Sequence, residues 1–216
     1  MNQAKLAELR IAIVGTGSIG SYTAQALTKM GVGHFQLWDN DLVELHNLSN
    51  QFFTKDSLEI PKVVAAEKEC QRIAPSNVDI DIRNEFYSGQ DLDFDVVIAL
   101  TDNIEGRKAS FEAAKRSERC KLFIDGRMGA ELFRGFAFNP HSAADADKYY
   151  KDYIDGVSNE ELPCTARTII YNVLLASSAI ASFVKKFVQG ETMPFMLIFN
   201  FGDYSFAKSN SQAGAS

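Results

Sequence analysis

The chain has 216 residues, 46% hydrophobic and 23% charged, a globular composition that excludes a disordered or fibrous protein. Sixteen Phe and seven Tyr supply one large core, and the length suits one α/β domain over 1–216. The net charge of −6 excludes a general nucleic-acid binder, which needs a basic footprint, yet leaves nucleotide binding open, because helix N-termini and one or two cations can hold a phosphate.

Residues 9–14 form a short, β-branched run that stops at glycine, the pattern of a buried strand. Gly15-Thr16-Gly17-Ser18-Ile19-Gly20 follows, then a helix over 18–30 that Gly31 and Gly33 stop. A second strand spans 34–38 and ends at Asp39. Residues 39–55 are polar and Asn-rich, a loop with at most a helical turn. Pro61 opens a helix that runs to about residue 74, where Pro75 follows. Residues 78–83 alternate as a strand does. Another buried strand, 95–100, is closed by Thr101-Asp102-Asn103, and a helix over 104–119 precedes a strand over 121–125. This alternation predicts a doubly wound, Rossmann-like α/β fold with a mostly parallel sheet.

After Gly126 the rhythm changes. Residues 131–138 read as extended, and 139–162 as an acidic, partly mobile crossover with little core pattern. A helix over 166–186 is apolar nearly all round, as a buried helix is. Residues 193–201 and 204–207 read as antiparallel strands closing the fold, with 209–216 a frayed polar tail. No run approaches the ~18 apolar residues of a membrane span, and residues 1–10 lack a signal-peptide apolar region. Cys70, Cys120 and Cys164 are far apart and form no CxxC pair, which argues against a disulfide framework and a four-cysteine zinc site. The expectation is a cytoplasmic chain with reduced thiols and no membrane partner.

The glycine run sits between a strand and a helix. Gly15 permits the tight turn, Gly17 lets a phosphate approach the backbone, and Gly20 lets the helix pack on the sheet. Asp39 lies at the end of the second strand, where a carboxylate accepts hydrogen bonds from ribose. A nucleotide site follows, but a dehydrogenase needs the same fingerprint.

The next segment separates the two. Asp39-Asn40-Asp41-Leu42-Val43 leads into Asn47-Leu48-Ser49-Asn50-Gln51-Phe52, and Pro61-Lys62 opens a helix. Leu100-Thr101-Asp102-Asn103 is followed by Arg107, and Pro163-Cys164-Thr165 precedes the long apolar helix. From about Leu9 to Lys186 the chain resembles the ThiF/MoeB/HesA family of adenylating enzymes, relatives of the ubiquitin-activating enzymes. The resemblance implies ATP-dependent adenylation of the C-terminal carboxylate of a small ubiquitin-like or sulfur-carrier protein, or of a peptide ending in Gly-Gly. It implies ATP and magnesium (Mg2+) as cofactors and a homodimer. By the same resemblance Asp102 positions the metal, Lys62 contacts phosphates, Asp39 holds ribose, and Gly15, Gly17 and Gly20 shape the pocket. Asp41, Asn47 and Gln51 match polar positions near the nucleotide, and Cys164 matches the segment of the reactive cysteine.

Each residue also has a plainer reading. Asp102-Asn103 could cap the following helix, Lys62 could be a solvated first-turn lysine, Arg107 a surface helix residue, and Cys164 a small core residue. Cys70 and Cys120 look structural. Arg127, at the C-terminal edge of a buried strand, is a candidate phosphate or peptide contact. The chain departs from the family in four ways, the first being Ala99 in place of the aspartate that opens the D-x-T-D-N motif. Asn50 stands where an arginine is usual, the N-terminal arginine-bearing helix is missing or very short, and the zinc-binding CxxC pairs are absent, so no structural zinc is expected. Arg127 or Arg134 would have to replace the lost cation. Two alternatives remain at this point: an NAD-dependent oxidoreductase, and a catalytically weak ATP-binding scaffold subunit.

Overall fold

Apolar strands with alternate residues facing opposite layers build the centre of the fold. The computed structural model describes residues 2–155 and 169–211. One eight-stranded sheet runs in the order β3-β2-β1-β4-β5-β6-β7-β8. Its parallel half comprises β1 (Arg10–Val14), β2 (His34–Trp38), β3 (Asp79–Arg83), β4 (Val96–Ala99) and the start of β5 (Leu122–Gly129). The antiparallel half adds β6 (Leu132–Phe138), β7 (Met196–Asn200) and β8 (Ser205–Ser209). This is the expected α/β, Rossmann-like arrangement.

Ile11 and Ile13 of β1, with Val96 and Ile98 of β4, face one layer of helices. That layer contains α2 (Ser18–Met30), α3 (Lys62–Ile73) and α6 (Ile170–Gln189). Ala12, Val14, Val97 and Ala99 face the other layer, with α4 (Ile104–Arg116) and α5 (Ala143–Tyr150). The period-two alternation of a strand thus divides one sheet between two cores. A short α1 (Gln3–Glu8), capped by Asn2, buries Leu6 beneath the start of the fold.

Several expectations change. Residues 139–162 were expected to lack core pattern, yet α5 lies there and continues into a wider turn over Lys151–Asp155. Ala146, Tyr149, Tyr150, Tyr153 and Ile154 recur at helical spacing, and Tyr149 is wholly buried. The stripe is hard to see because three of its five members are tyrosines among acidic residues. The helix expected to reach residue 119 ends at Arg116, and β5 runs on to Gly129 because it pairs with β6. The expected tail begins inside β8, and Ser211 Oγ donates to Asp145 Oδ2 at 2.5 Å.

The strand order reverses direction between β1 and β4. In an open sheet the carboxyl ends of the strands at such a switch form a crevice, and ligands bind there.

Candidate active site

The loop after β1 forms one wall of the crevice. Gly15 adopts φ +97°, a left-handed conformation that favours glycine. A Cβ at Gly15 would lie 2.7 Å from the Leu100 carbonyl oxygen, and one at Gly20 would lie 2.0 Å from that of Gly15. These two glycines therefore serve packing. Gly17 differs: a Cβ there would meet no atom within 4 Å. It borders open space at the N-terminus of α2, where unpaired N–H groups and the helix dipole favour an anion.

Asp39, at the end of β2, closes on this turn. Its Oδ2 accepts from Thr16 N at 2.7 Å and from Thr16 Oγ1 at 3.1 Å. Its Oδ1 accepts from Asp41 N at 3.0 Å. Asp41 in turn reaches the start of α3, where Lys62 Nζ is 2.7 Å from Asp41 Oδ2 and Lys62 N donates to the Asp41 carbonyl at 2.9 Å. Lys62 is not a solvated lysine; it is 6% exposed and directed at the loop that carries Asp39. Hydrogen bonds and one ion pair thus join Thr16, Asp39, Asp41 and Lys62, with Gly15 next to Thr16, in one row along the strand ends.

Asn47 and Gln51 lie in the next loop. Asn47 Oδ1 accepts from Glu44 N at 2.9 Å, and the Asn47 carbonyl accepts from Gln51 N at 2.8 Å. Phe52 N donates to Ser21 Oγ at 2.9 Å, which ties this loop to the first turns of α2. Gln51 is buried, and its Oε1 has no hydrogen-bond partner. A buried acceptor without a donor is costly.

The second wall follows β4. Gly15 packs on Leu100 and Thr101, and Asp102 comes next, exposed to solvent. The helix-cap role belongs to its neighbour: Asn103 Oδ1 accepts from Gly106 N at 2.7 Å. Asp102 receives one hydrogen bond, from Asn103 Nδ2 at 3.2 Å. Its carboxylate keeps acceptor capacity at the mouth of the crevice, which suits a magnesium ion that takes one or two protein carboxylates and completes its shell from phosphates and water. Among the described residues no group of three or more His, Cys, Asp or Glu could hold a metal on its own.

Arg107 and Arg127 are turned inward. Arg107 is buried rather than on the helix surface; its Nη1 donates to Asp125 Oδ1 and, at 3.0 Å, to the Gly126 carbonyl. Arg127 was expected to reach a phosphate or peptide. Its Nε instead donates to Asp125 Oδ2 at 2.7 Å, and its Nη1 to the Tyr153 carbonyl at 2.9 Å. The Tyr149 hydroxyl donates to the same Asp125 oxygen at 2.8 Å. Burial alone would raise the Asp125 carboxyl, but the Arg107 and Arg127 guanidiniums outweigh it and hold the group below its usual range. Burial and the adjacent Asp125 charge push Tyr149 well above the usual phenol range. Arg134 lies opposite Arg127 on β6 with its guanidinium 5.9 Å from the Tyr153 ring centre, and its buried Nε has no hydrogen-bond partner.

Sequence reading missed Thr16 as the partner of Asp39, and it missed Arg107, Arg127, Asp125 and Tyr149 as a connected set. One signal was available: Asp125 ends the apolar run Leu122-Phe123-Ile124, and a carboxylate inside a buried strand needs a cation. Cys70 and Cys120 are buried, and burial pushes their thiols up to about 11 and about 12, as suits inert core residues. Cys164 lies outside the described residues.

Residues 1–210 match the ThiF family. The chain belongs to that family. Among curated relatives, ubiquitin-like modifier-activating enzyme 5 of Drosophila persimilis is 33% identical over 153 residues, covering 62% of this chain and 38% of the relative. The Xenopus laevis protein of the same name is 33% identical over 127 residues, 50% of this chain and 31% of the relative. The chain therefore spans about a third of the length of these relatives. Among solved structures, PaaA superposes with a TM-score of 0.78 at 20% identity, covering 96% of this chain and 65% of that one. E. coli MccB in its complex with ATP gives 0.74 at 18%, covering 96% and 65%. At these identities the likeness establishes the ThiF-type fold. No helix among the described residues is long and apolar enough to cross a membrane.

Proposed function

We propose that this chain is an ATP-dependent adenylating enzyme acting on a C-terminal carboxylate. The carboxylate belongs to a small ubiquitin-like or sulfur-carrier protein, or to a peptide ending in Gly-Gly, and the products are an acyl-adenylate and pyrophosphate. The observation that carries the reading is the row of Thr16, Asp39, Asp41 and Lys62 along the strand ends, with open space at Gly17 and an exposed Asp102 after β4. The relatives support it: ubiquitin-like modifier-activating enzyme 5 and MccB, the latter solved with ATP and with MccA.

In this reading the open face at Gly17 and the α2 N-terminus receive phosphate oxygens. Asp39 accepts from the ribose. Lys62 is pre-aligned by Asp41 and supplies positive charge where the triphosphate gains negative charge, a stabilisation that acts more strongly in a partly buried site. Asp102 holds magnesium, which when bound neutralises charge on the phosphates and the pyrophosphate leaving group. Arg107 and Arg127 support the site through Asp125 rather than through substrate. The Cys164 thiolate attacks the acyl-adenylate, forming a thioester and releasing AMP, or takes part in sulfur transfer. We propose in addition that residues 1–216 act as one adenylation domain within a homodimer.

The test is exchange of labelled pyrophosphate into ATP with magnesium and carriers or peptides ending in Gly-Gly. Exchange that depends on the carrier supports adenylation. ATP binding with no exchange for any carrier would instead assign a scaffold role, and selective thermal stabilisation by NAD would assign an oxidoreductase.

A further inference from the structure

We propose that Thr16, between Gly15 and Gly17 in the glycine turn, is a positioning residue that limits Asp39 to reading one ribose hydroxyl. The proposal rests on the nucleotide reading above. An ionised carboxylate offers about four lone-pair positions. Protein groups already take three of those on Asp39: Thr16 N and Thr16 Oγ1 at Oδ2, and Asp41 N at Oδ1. Both donors to Oδ2 come from Thr16, which is completely buried, whereas Asp39 itself is half-buried.

The arrangement fixes the carboxylate in rotation. Oδ2 points into the glycine turn with both positions filled, and Oδ1 keeps one position for a ligand. A bidentate grip on two neighbouring hydroxyls would need both oxygens, or both positions of one. The backbone N–H of Thr16 remains whatever residue stands there, so the hydroxyl is the adjustable part of this lock. Removing it leaves Oδ2 with a vacant acceptor position, facing a buried site that a second ribose hydroxyl can satisfy only if the carboxylate turns.

The experiment measures equilibrium binding of ATP, 2′-deoxy-ATP and 3′-deoxy-ATP, each with magnesium, to the wild-type chain and to Thr16→Val and Thr16→Ser. For the wild type, loss of one hydroxyl should weaken binding by about tenfold, as expected for a hydrogen bond to a charged acceptor, and loss of the other by less than about twofold. Thr16→Val should narrow the gap, so that both deoxy analogues bind more weakly than ATP. Thr16→Ser, which restores the hydroxyl, should return the wild-type pattern. Equal weakening by both analogues in the wild type overturns the role of Thr16 while leaving nucleotide binding intact. An unchanged ratio in a folded Thr16→Val also overturns it. The wild-type analogue series stands even if Thr16→Val fails to fold. Absence of binding to all three nucleotides overturns the functional reading and this proposal together.

Discussion

Two aspartates stand where the parallel pairing of β4 with β5 runs out, and they meet opposite fates. Asp125 pairs in register with Ala99 of β4, and Asp102 lies three residues beyond that alanine. Asp125 is fully buried between two guanidiniums and a phenol, so its charge is spent inside the protein. Asp102 stands in solvent beside an asparagine that performs the helix capping. The same side chain is structural on one strand and available for chemistry on the next. The difference lies in the cations around it. Arg107 and Arg127 converge on β5, and among the described residues no ion pair includes Asp102.

The contrast can be broken most forcefully at Asp125. Asp125→Asn leaves two buried cations short of a counter-charge, and stability in urea should fall by about 3–5 kcal/mol. The same pair makes an acid-pH prediction. The folded carboxyl is held below its unfolded value, so its contribution is complete above the unfolded pKa of about 3.9 and is lost as pH falls below it. Urea midpoints measured between pH 6 and pH 3 should decline for the wild type, and Asp125→Asn should lack that part of the decline. Asn103→Ala tests the cap and should cost about 1 kcal/mol. Asp102→Ala is expected to change stability by less than about 0.5 kcal/mol, as an exposed substitution does. Pyrophosphate exchange by that variant should fall by two orders of magnitude or so. A large loss of melting temperature in Asp102→Ala would place this residue with Asp125 rather than opposite it.

The parallel half of the fold was legible because its signals are local. β2 and α2 fall on the residues that periodicity and glycine stops indicate, and α3 begins next to Pro61. The glycine turn and Asp39 were legible for the same reason, as a motif with a fixed spacing. What escaped reading depends on distant pairs. Arg107 meets Asp125 across 18 positions and Tyr149 meets it across 24, so no window along the chain contains the cluster. α5 escaped because its buried stripe is aromatic and phenolic rather than aliphatic. The burial of Lys62 also escaped; it follows from the Asp41 loop folding over it through the Leu42–Pro61 bridge.

The three glycines of the turn also separate what folding demands from what binding demands. Any side chain at position 15 or 20 collides with backbone carbonyls, so those letters would be retained by a protein that had lost its ligand. Position 17 carries no such restraint: added atoms there project into empty space. Glycine at 17, the N-cap of α2, leaves room for a bound group to reach the helix N-terminus.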